Sequence, residues 1–223
     1  MKKNLFILVA FLASATICCA QSTKEQMKER MELYKMGKEE LNQKASKDAR
    51  KEARRLEKEG WQIAPGALPI AKQLDRVYIM KYEIDDDMFP KWIMGEAMSI
   101  GESYDAAKMQ ALALAAQNLA GEIGREVTEL VKNKRDNQQL SPEEATSVIK
   151  TISESAQMIQ QSIGRTVTVT EMYRTLKNKN KEVRVMIAYN KKMAKEAARK
   201  AVRDDLEKEG EALSKKLDGI LGW

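Results

Sequence analysis

Apolar residues recur along this chain with two different periods. Spacings of three and four predict amphipathic helices over residues 22–59, 104–131, 141–164 and 191–217. Alternation of apolar and polar residues predicts strands over residues 76–84, 92–101, 167–173 and 183–189. This order predicts an α+β fold, in which helices cover one face of a small antiparallel sheet, with a long N-terminal helix and a C-terminal helix outside it.

The ends of the predicted elements carry specific signals. The segment Ser141-Pro142-Glu143-Glu144 combines a serine cap, a proline at the first helical position and a glutamate three residues after the cap. Ser103 is suited to cap the helix that follows it, over residues 104–131, and Gly60 is suited to end the first helix. The polar run 177–181 predicts a hairpin turn. Asparagine tolerates the positive φ angles of such a turn, and lysine opposes aggregation through the exposed strand edges.

Two segments precede the first predicted strand. Residues 21–60 form an amphipathic helical arm whose narrow apolar stripe includes Met27, Met31, Tyr34 and Leu41. The pattern favours an arm that lies solvated on its own domain, and an assembly arm that docks on a neighbouring subunit is the alternative. Residues 61–75 contain prolines and a glycine, so we expect an extended connector there.

The helix after the second strand is predicted to carry the core. Its main apolar stripe is Leu112, Ala116, Leu119, Ile123, Val127 and Leu130. Many of the remaining positions are alanine, and such small side chains allow a helix to approach a sheet closely. We therefore expect residues 76–192 to form one α+β domain, followed by a C-terminal helix and apolar tail over residues 193–223.

Residues 1–20 have the layout of a secretory signal peptide. Lys2 and Lys3 precede an apolar run over residues 5–12, and small residues follow it. Cys18 and Ala20 fit the small positions before a cleavage site, which leaves Gln21 as the new N-terminus. Lipidation of Cys18 or Cys19 is the alternative, but Ile17 is a poor residue to precede a lipidated cysteine. We expect an exported protein, periplasmic or associated with the outer membrane.

Removal of residues 1–20 narrows the possible chemistry. The remaining chain has no cysteine and no histidine, and its 37 basic and 33 acidic side chains leave a net charge of +4. Cysteine nucleophiles, serine–histidine triads and typical zinc sites are thereby excluded. The charges are interspersed and aromatic residues are few, so we expect no nucleic-acid partner. We assign no catalytic, cofactor-binding or metal-binding residue and expect no cofactor.

With cysteine and histidine absent after residue 20, catalysis by carboxylate side chains is the kind of chemistry that remains possible. Glu83, Asp85 and Glu96 lie near the ends of predicted strands, where a pair of them could serve a hydrolase. The run Asp85-Asp86-Asp87 could bind calcium, but it lacks the spacing and the later glutamate of an EF-hand loop. A solvated turn is the interpretation that we favour for this run.

Part of the chain resembles a known family. The segment Gly95-Glu96-Ala97, the alanine-rich helix with Asn118-Leu119-Ala120, and the hairpin with Glu171-Met172-Tyr173-Arg174 and Glu182-Val183-Arg184-Val185 resemble the LPP20-type lipoprotein domain over residues 76–192. The resemblance implies a small α+β module of the Gram-negative envelope, without an active site. Members include outer-membrane lipoproteins, and relatives build rings or disks around flagellar motors.

We therefore expect a non-catalytic envelope protein that acts through protein–protein assembly. Its partner would be a second copy of itself or another envelope protein, and any membrane contact would be peripheral or through a lipid anchor. The apolar tail, with Ile220, Leu221 and Trp223, is a second candidate contact surface beside the arm. A periplasmic module that binds a small apolar or lipid ligand and a carboxylate-based hydrolase are the two alternatives.

The signal-peptide interpretation makes a direct prediction. We expect the protein isolated from the cell envelope to begin at Gln21 and to carry no lipid, because Cys18 and Ala20 fit a cleavage site. Mass spectrometry of the N-terminal peptide measures this. A diacylated Cys18 or Cys19 would contradict the prediction.

Overall fold

The computed structural model describes residues 27–28, 30–32, 34–35, 44–86, 88–136 and 141–209, without the side chains of residues 134–136 and 203–209. The chain divides into two units, Met1–Lys44 and Ala45–Trp223. In the first unit the described residues between 27 and 35 are helical and exposed. Residues 1–20 and the apolar tail after residue 209 lie outside the described residues.

The second unit is an α+β structure, as the sequence predicts. Its helices are α1 (Lys47–Lys58), α2 (Ile70–Tyr82), α3 (Tyr104–Asp136), α4 (Pro142–Glu154), α5 (Ala156–Ser162) and α6 (Lys191–Glu209). Its strands are β1 (Gln62–Ile63), β2 (Trp92–Gly101), β3 (Val167–Thr175) and β4 (Lys181–Asn190). The sheet is antiparallel in the order β1-β3-β4-β2, so that β2 lies at one edge.

The strand and hairpin predictions after residue 90 are confirmed. β2 pairs with β4 along its whole length, from Trp92 opposite Asn190 to Gly101 opposite Lys181. The β3–β4 hairpin forms around the lysine-rich turn, with one irregularity between Thr168 and Thr170. In the turn, however, Lys179 takes the positive φ angle of 69°, which we expected of an asparagine. Asn178 instead accepts a hydrogen bond from the Asn180 N–H through its side chain.

The prediction of a strand over residues 76–84 is wrong, because these residues belong largely to helix α2. The buried positions Ile70, Gln73 and Met80 and the partly buried Val77 follow at spacings of three and four, which is the period of a helix. That period begins within residues 61–75, which we expected to be an extended connector. Strand β1 and the first turns of α2 occupy most of that segment instead.

The prediction of one long helix over residues 22–59 is also wrong. Residues 44–46 are not helical, and the Ser46 side chain caps a new helix, α1, by accepting from the Ala49 N–H at 3.3 Å. Gly60 ends α1 with a φ angle of 90°, as expected. Since Ala49, Ala53 and Leu56 are buried, α1 is an integral part of the second unit, which begins well before residue 76.

Helices cover both faces of the sheet, whereas the sequence analysis expected one covered face. On one face α3, α4, α5 and α6 form the largest core with Val183, Val185, Ile187 and Tyr189 of β4. On the other face α1 and α2 pack on β3, where Ala53, Leu56, Trp61, Ile70 and Met172 form a smaller cluster. The exposed side chains of Met98 and Ile100 show that this second layer leaves part of β2 uncovered.

Helix α3 approaches strand β2 most closely at Gly95. A Cβ atom at this position would lie 2.3 Å from the Ala115 carbonyl oxygen and 2.7 Å from Leu119 Cβ. The helix therefore faces the sheet with Ala107, Ala111, Ala115 and Leu119, all fully buried. The predicted stripe is correct at Leu119, Ile123 and Val127, but Leu112, Ala116 and Leu130 are only partly buried at its flank.

The capping box that begins α4 is confirmed. The Ser141 hydroxyl accepts from the Glu144 N–H, and the Glu144 side chain accepts from the Ser141 N–H. The single helix expected over residues 141–164 is broken at Ser155, which separates α4 from α5. Val148, Ile152 and Ile159 are buried in the same core, while Ala156, expected on this face, is exposed.

The close approach at Gly95 predicts opposite effects for two glycine substitutions. Gly95→Ala should destabilise the fold by about 1–3 kcal/mol, because backbone and side chain of α3 must move away. Gly121→Ala on α3 should stabilise it by about 0.5–1 kcal/mol, because its Cβ meets nothing within 4 Å and alanine favours the helix. Urea unfolding measures both changes. Equal free energies for the two variants would contradict this packing.

Candidate functional site

The loop between α2 and β2 has a defined backbone structure. The Asp85 N–H donates to the Phe89 carbonyl at 2.8 Å, and the Met88 N–H donates to the Asp85 carbonyl at 3.1 Å. The Asp85 carboxylate accepts from the Phe89 N–H at 2.9 Å. Asp85 therefore organises a turn, as we expected of the Asp85-Asp86-Asp87 run, although Asp87 lies outside the described residues. Ile84 and Pro90 form an antiparallel bridge at the base of this turn.

Glu83 ties the base of this loop to strand β2. Its carboxylate accepts from Lys91 Nζ at 2.8 Å and from the indole Nε1 of Trp92 at 2.7 Å. The Lys91 and Glu83 side chains are about four-fifths buried, so that solvent screens their interaction less than it screens a surface pair. A backbone bond from the Lys91 N–H to the Glu83 carbonyl, at 3.0 Å, closes the same junction.

The loop between α2 and β2 and the last turns of α2 present large apolar side chains to solvent. We name this set the apolar loop surface: Tyr78, Ile79, Tyr82, Ile84, Met88 and Phe89. Tyr82 is 78% exposed, Met88 75% and Phe89 62%. Met88 also holds a φ angle of 64°, which is uncommon for a residue with a long side chain. The sequence analysis missed this surface, although Met88 and Phe89 beside three acidic residues were a visible signal.

The structure does not assemble the three candidate carboxylates into one site. Glu83 ties the loop to β2, Asp85 caps the turn, and Glu96 pairs with the guanidinium of Arg184. Glu96 lies four residues along β2 from Trp92, the residue that Glu83 contacts, which is about 13 Å at 3.3 Å per residue. A glycosidase needs its two carboxyl groups about 5 to 9.5 Å apart.

A second polar cluster joins the start of α3 to β3. The Tyr104 hydroxyl donates to the Glu171 carboxylate, and Lys108 Nζ lies 2.6 Å from the same carboxylate. Burial raises the pKa of the Tyr104 phenol above its usual range, and the hydrogen bond to Glu171 raises this pKa further. A tyrosine that serves as a base at neutral pH needs a lowered pKa, which Tyr104 does not have. Through its contacts with Tyr104 and Lys108, Glu171 joins β3 to α3.

A groove of about 710 Å³ lies beside β2, which pairs with no second strand among the described residues. Its walls are β2 at residues 94–96, the flank of α3 at residues 117–122, and α5 at residues 156–160. Gln117, Asn118, Gln157 and Gln160 give the groove a polar, amide-rich lining. The apolar or lipid ligand considered from the sequence would need an apolar cavity, which this groove does not provide.

Comparisons with known proteins leave the family open. No family model matches the chain, and no curated protein or solved structure matches it either. The resemblance to the LPP20-type lipoprotein domain therefore stays a prediction. Within the described ranges, no group of three or more acidic, histidine or cysteine side chains could hold a metal ion. Over the same ranges, none of the helices is long and apolar enough to cross a membrane.

Proposed function

We propose that this chain is a non-catalytic protein of the cell envelope that acts by assembly, and that the apolar loop surface is its contact site. The observation that carries the proposal is the exposure of Tyr82, at the end of α2, and of Met88 and Phe89 on a loop with a fixed backbone. Contiguous exposed apolar side chains mark interaction sites on soluble proteins. Aromatic residues and methionine are also the residue types enriched in protein–protein interfaces.

The loop supports binding because its shape is set before a partner arrives. Glu83 holds its base, and Asp85 fixes its turn. A prearranged surface loses less conformational entropy on binding than a loop that must first become ordered. The positive φ angle of Met88 adds to this argument, because such backbone strain persists where surrounding structure imposes it and is frequent at binding sites.

The charges near the loop suggest the chemistry of the partner. Asp85 and Asp86 lie in the turn between the exposed Ile84 and Met88. A complementary surface would have an apolar centre and basic residues at its rim. The partner is a second copy of this chain or another envelope protein. The location in the envelope rests on the signal-peptide pattern of residues 1–20.

Photo-crosslinking from the loop tests the proposal. A photoreactive phenylalanine analogue at Phe89, in the full chain within its own cells, should give one adduct of defined mass. The same analogue at Met109, which is 73% exposed on α3, is the matched control and should give none. Tyr82→Ser should weaken the adduct from position 89 at least fivefold, because it removes the most exposed side chain of the apolar loop surface.

The outcomes separate the possible partners. An adduct of twice the chain mass, with a dimer in sedimentation that Phe89→Ser removes, identifies a second copy. A heavier or lighter adduct that Tyr82→Ser weakens at least fivefold identifies another envelope protein. If a folded chain gives no adduct from position 89, or the same adducts from positions 89 and 109, the apolar loop surface is not the contact site.

A further inference from the structure

The groove beside β2 is bordered by backbone groups of the strand that point away from its partner β4. Strand β2 is an edge strand that pairs with β4 on one side. The Lys191 N–H donates to the Lys91 carbonyl at 2.8 Å, so position 91 bonds towards β4. In an antiparallel pair this direction alternates, so positions 93, 95, 97 and 99 also bond to β4. Positions 94, 96, 98 and 100 therefore direct their N–H and C=O groups to the free edge.

One contact shows the chemistry that this edge accepts. The side-chain amide of Asn118 on α3 donates to the Glu96 carbonyl at 2.8 Å, in the direction that a neighbouring strand would occupy. Glu96 is one of the positions whose backbone faces the free edge, which supports the alternation derived from Lys91. A peptide N–H would take the place of the Asn118 amide at this carbonyl, and the groove lies directly beside it.

Gly121 keeps the floor of the groove open. It lies in the middle of α3, where glycine costs about 1 kcal/mol relative to alanine. Packing does not explain this residue, because a Cβ atom there would meet nothing within 4 Å. At Gly124, three residues further along the helix, a Cβ atom would contact Ile152 at 3.7 Å. A side chain at position 121 would instead enter the groove, of which this residue is part.

We propose that the groove binds an extended polar peptide of another protein, which adds to β2 as a fifth strand. Backbone groups that face the edge at alternate residues recur about every 6.8 Å, which is the repeat of a partner strand. Addition of a strand to an exposed sheet edge is a recurrent mode of peptide recognition. Alternate side chains of the peptide would face Gln117, Gln157 and Gln160, whose amides both donate and accept hydrogen bonds.

This peptide site is independent of the assembly proposed for the apolar loop surface. The groove is formed by β2, α3 and α5, whereas that surface is formed by α2 and the following loop. The two proposals can therefore fail separately, and Phe89→Ser should leave peptide binding unchanged.

Selection from a phage-displayed library of random twelve-residue peptides tests the site. The immobilised folded protein should enrich a common polar sequence, and fluorescence anisotropy of the labelled synthetic peptide then gives the affinity. Gly121→Phe should lower this affinity at least tenfold, because its side chain fills the groove. Lys51→Phe places the same side chain at an exposed position of α1 and should change the affinity less than twofold.

A modified peptide distinguishes strand addition from side-chain recognition. Two peptides are compared, one N-methylated at its odd-numbered amides and the other at its even-numbered amides. One of the two should lose binding and the other should bind nearly unchanged, because only one set of amides faces β2. The proposal is overturned if no peptide is enriched, if Gly121→Phe binds as tightly as the original protein, or if both N-methylated peptides bind unchanged. A dimer that Gly121→Phe dissociates, without peptide binding, would assign the edge to a second copy instead.

Discussion

The close packing of helix α3 on strand β2 is the constraint on which the rest of this structure depends. At Gly95 the strand leaves no room for a side chain, and Ala115 and Leu119 of α3 occupy the space that one would need. The alanines at 107 and 111 continue this contact along the helix. The packing of α3 holds β2 on the sheet from one face. The strand is ten residues long although only β4 pairs with it.

Both candidate surfaces follow from the fixed position of β2. The loop that carries Met88 and Phe89 is tied to the start of the strand through Glu83, Lys91 and Trp92. The edge groove lies beside the same strand, between its free side and the flank of α3. Three carboxylates connect elements: Glu83 joins the loop to β2, Glu96 pairs with Arg184 of β4, and Glu171 joins β3 to α3.

The sequence predicted the elements whose signals are local. The β3–β4 hairpin, β2 and the capping box of Ser141 and Glu144 all have their determinants within a few residues. Helix α2 was missed because its buried period begins at Ile70, inside a proline-containing segment that suggested a connector. The sequence does not distinguish the buried alanines of α3 from the exposed ones, because their burial depends on the contact of α3 with Gly95 of β2. Met88 and Phe89 beside three acidic residues were a local signal for the apolar loop surface, but its extent and the edge groove depend on which residues distant segments of the fold leave uncovered.

Residue-by-residue hydrogen exchange along β2 tests this account most directly. In the free protein, the amides at positions 93, 95, 97 and 99 should be strongly protected, because they bond to β4 beneath α3. The amides at positions 94, 98 and 100 should exchange at least a hundredfold faster, because they face the free edge. Uniform protection along the strand would mean that another chain segment covers this edge. Uniformly fast exchange would mean that α3 does not hold β2 on the sheet.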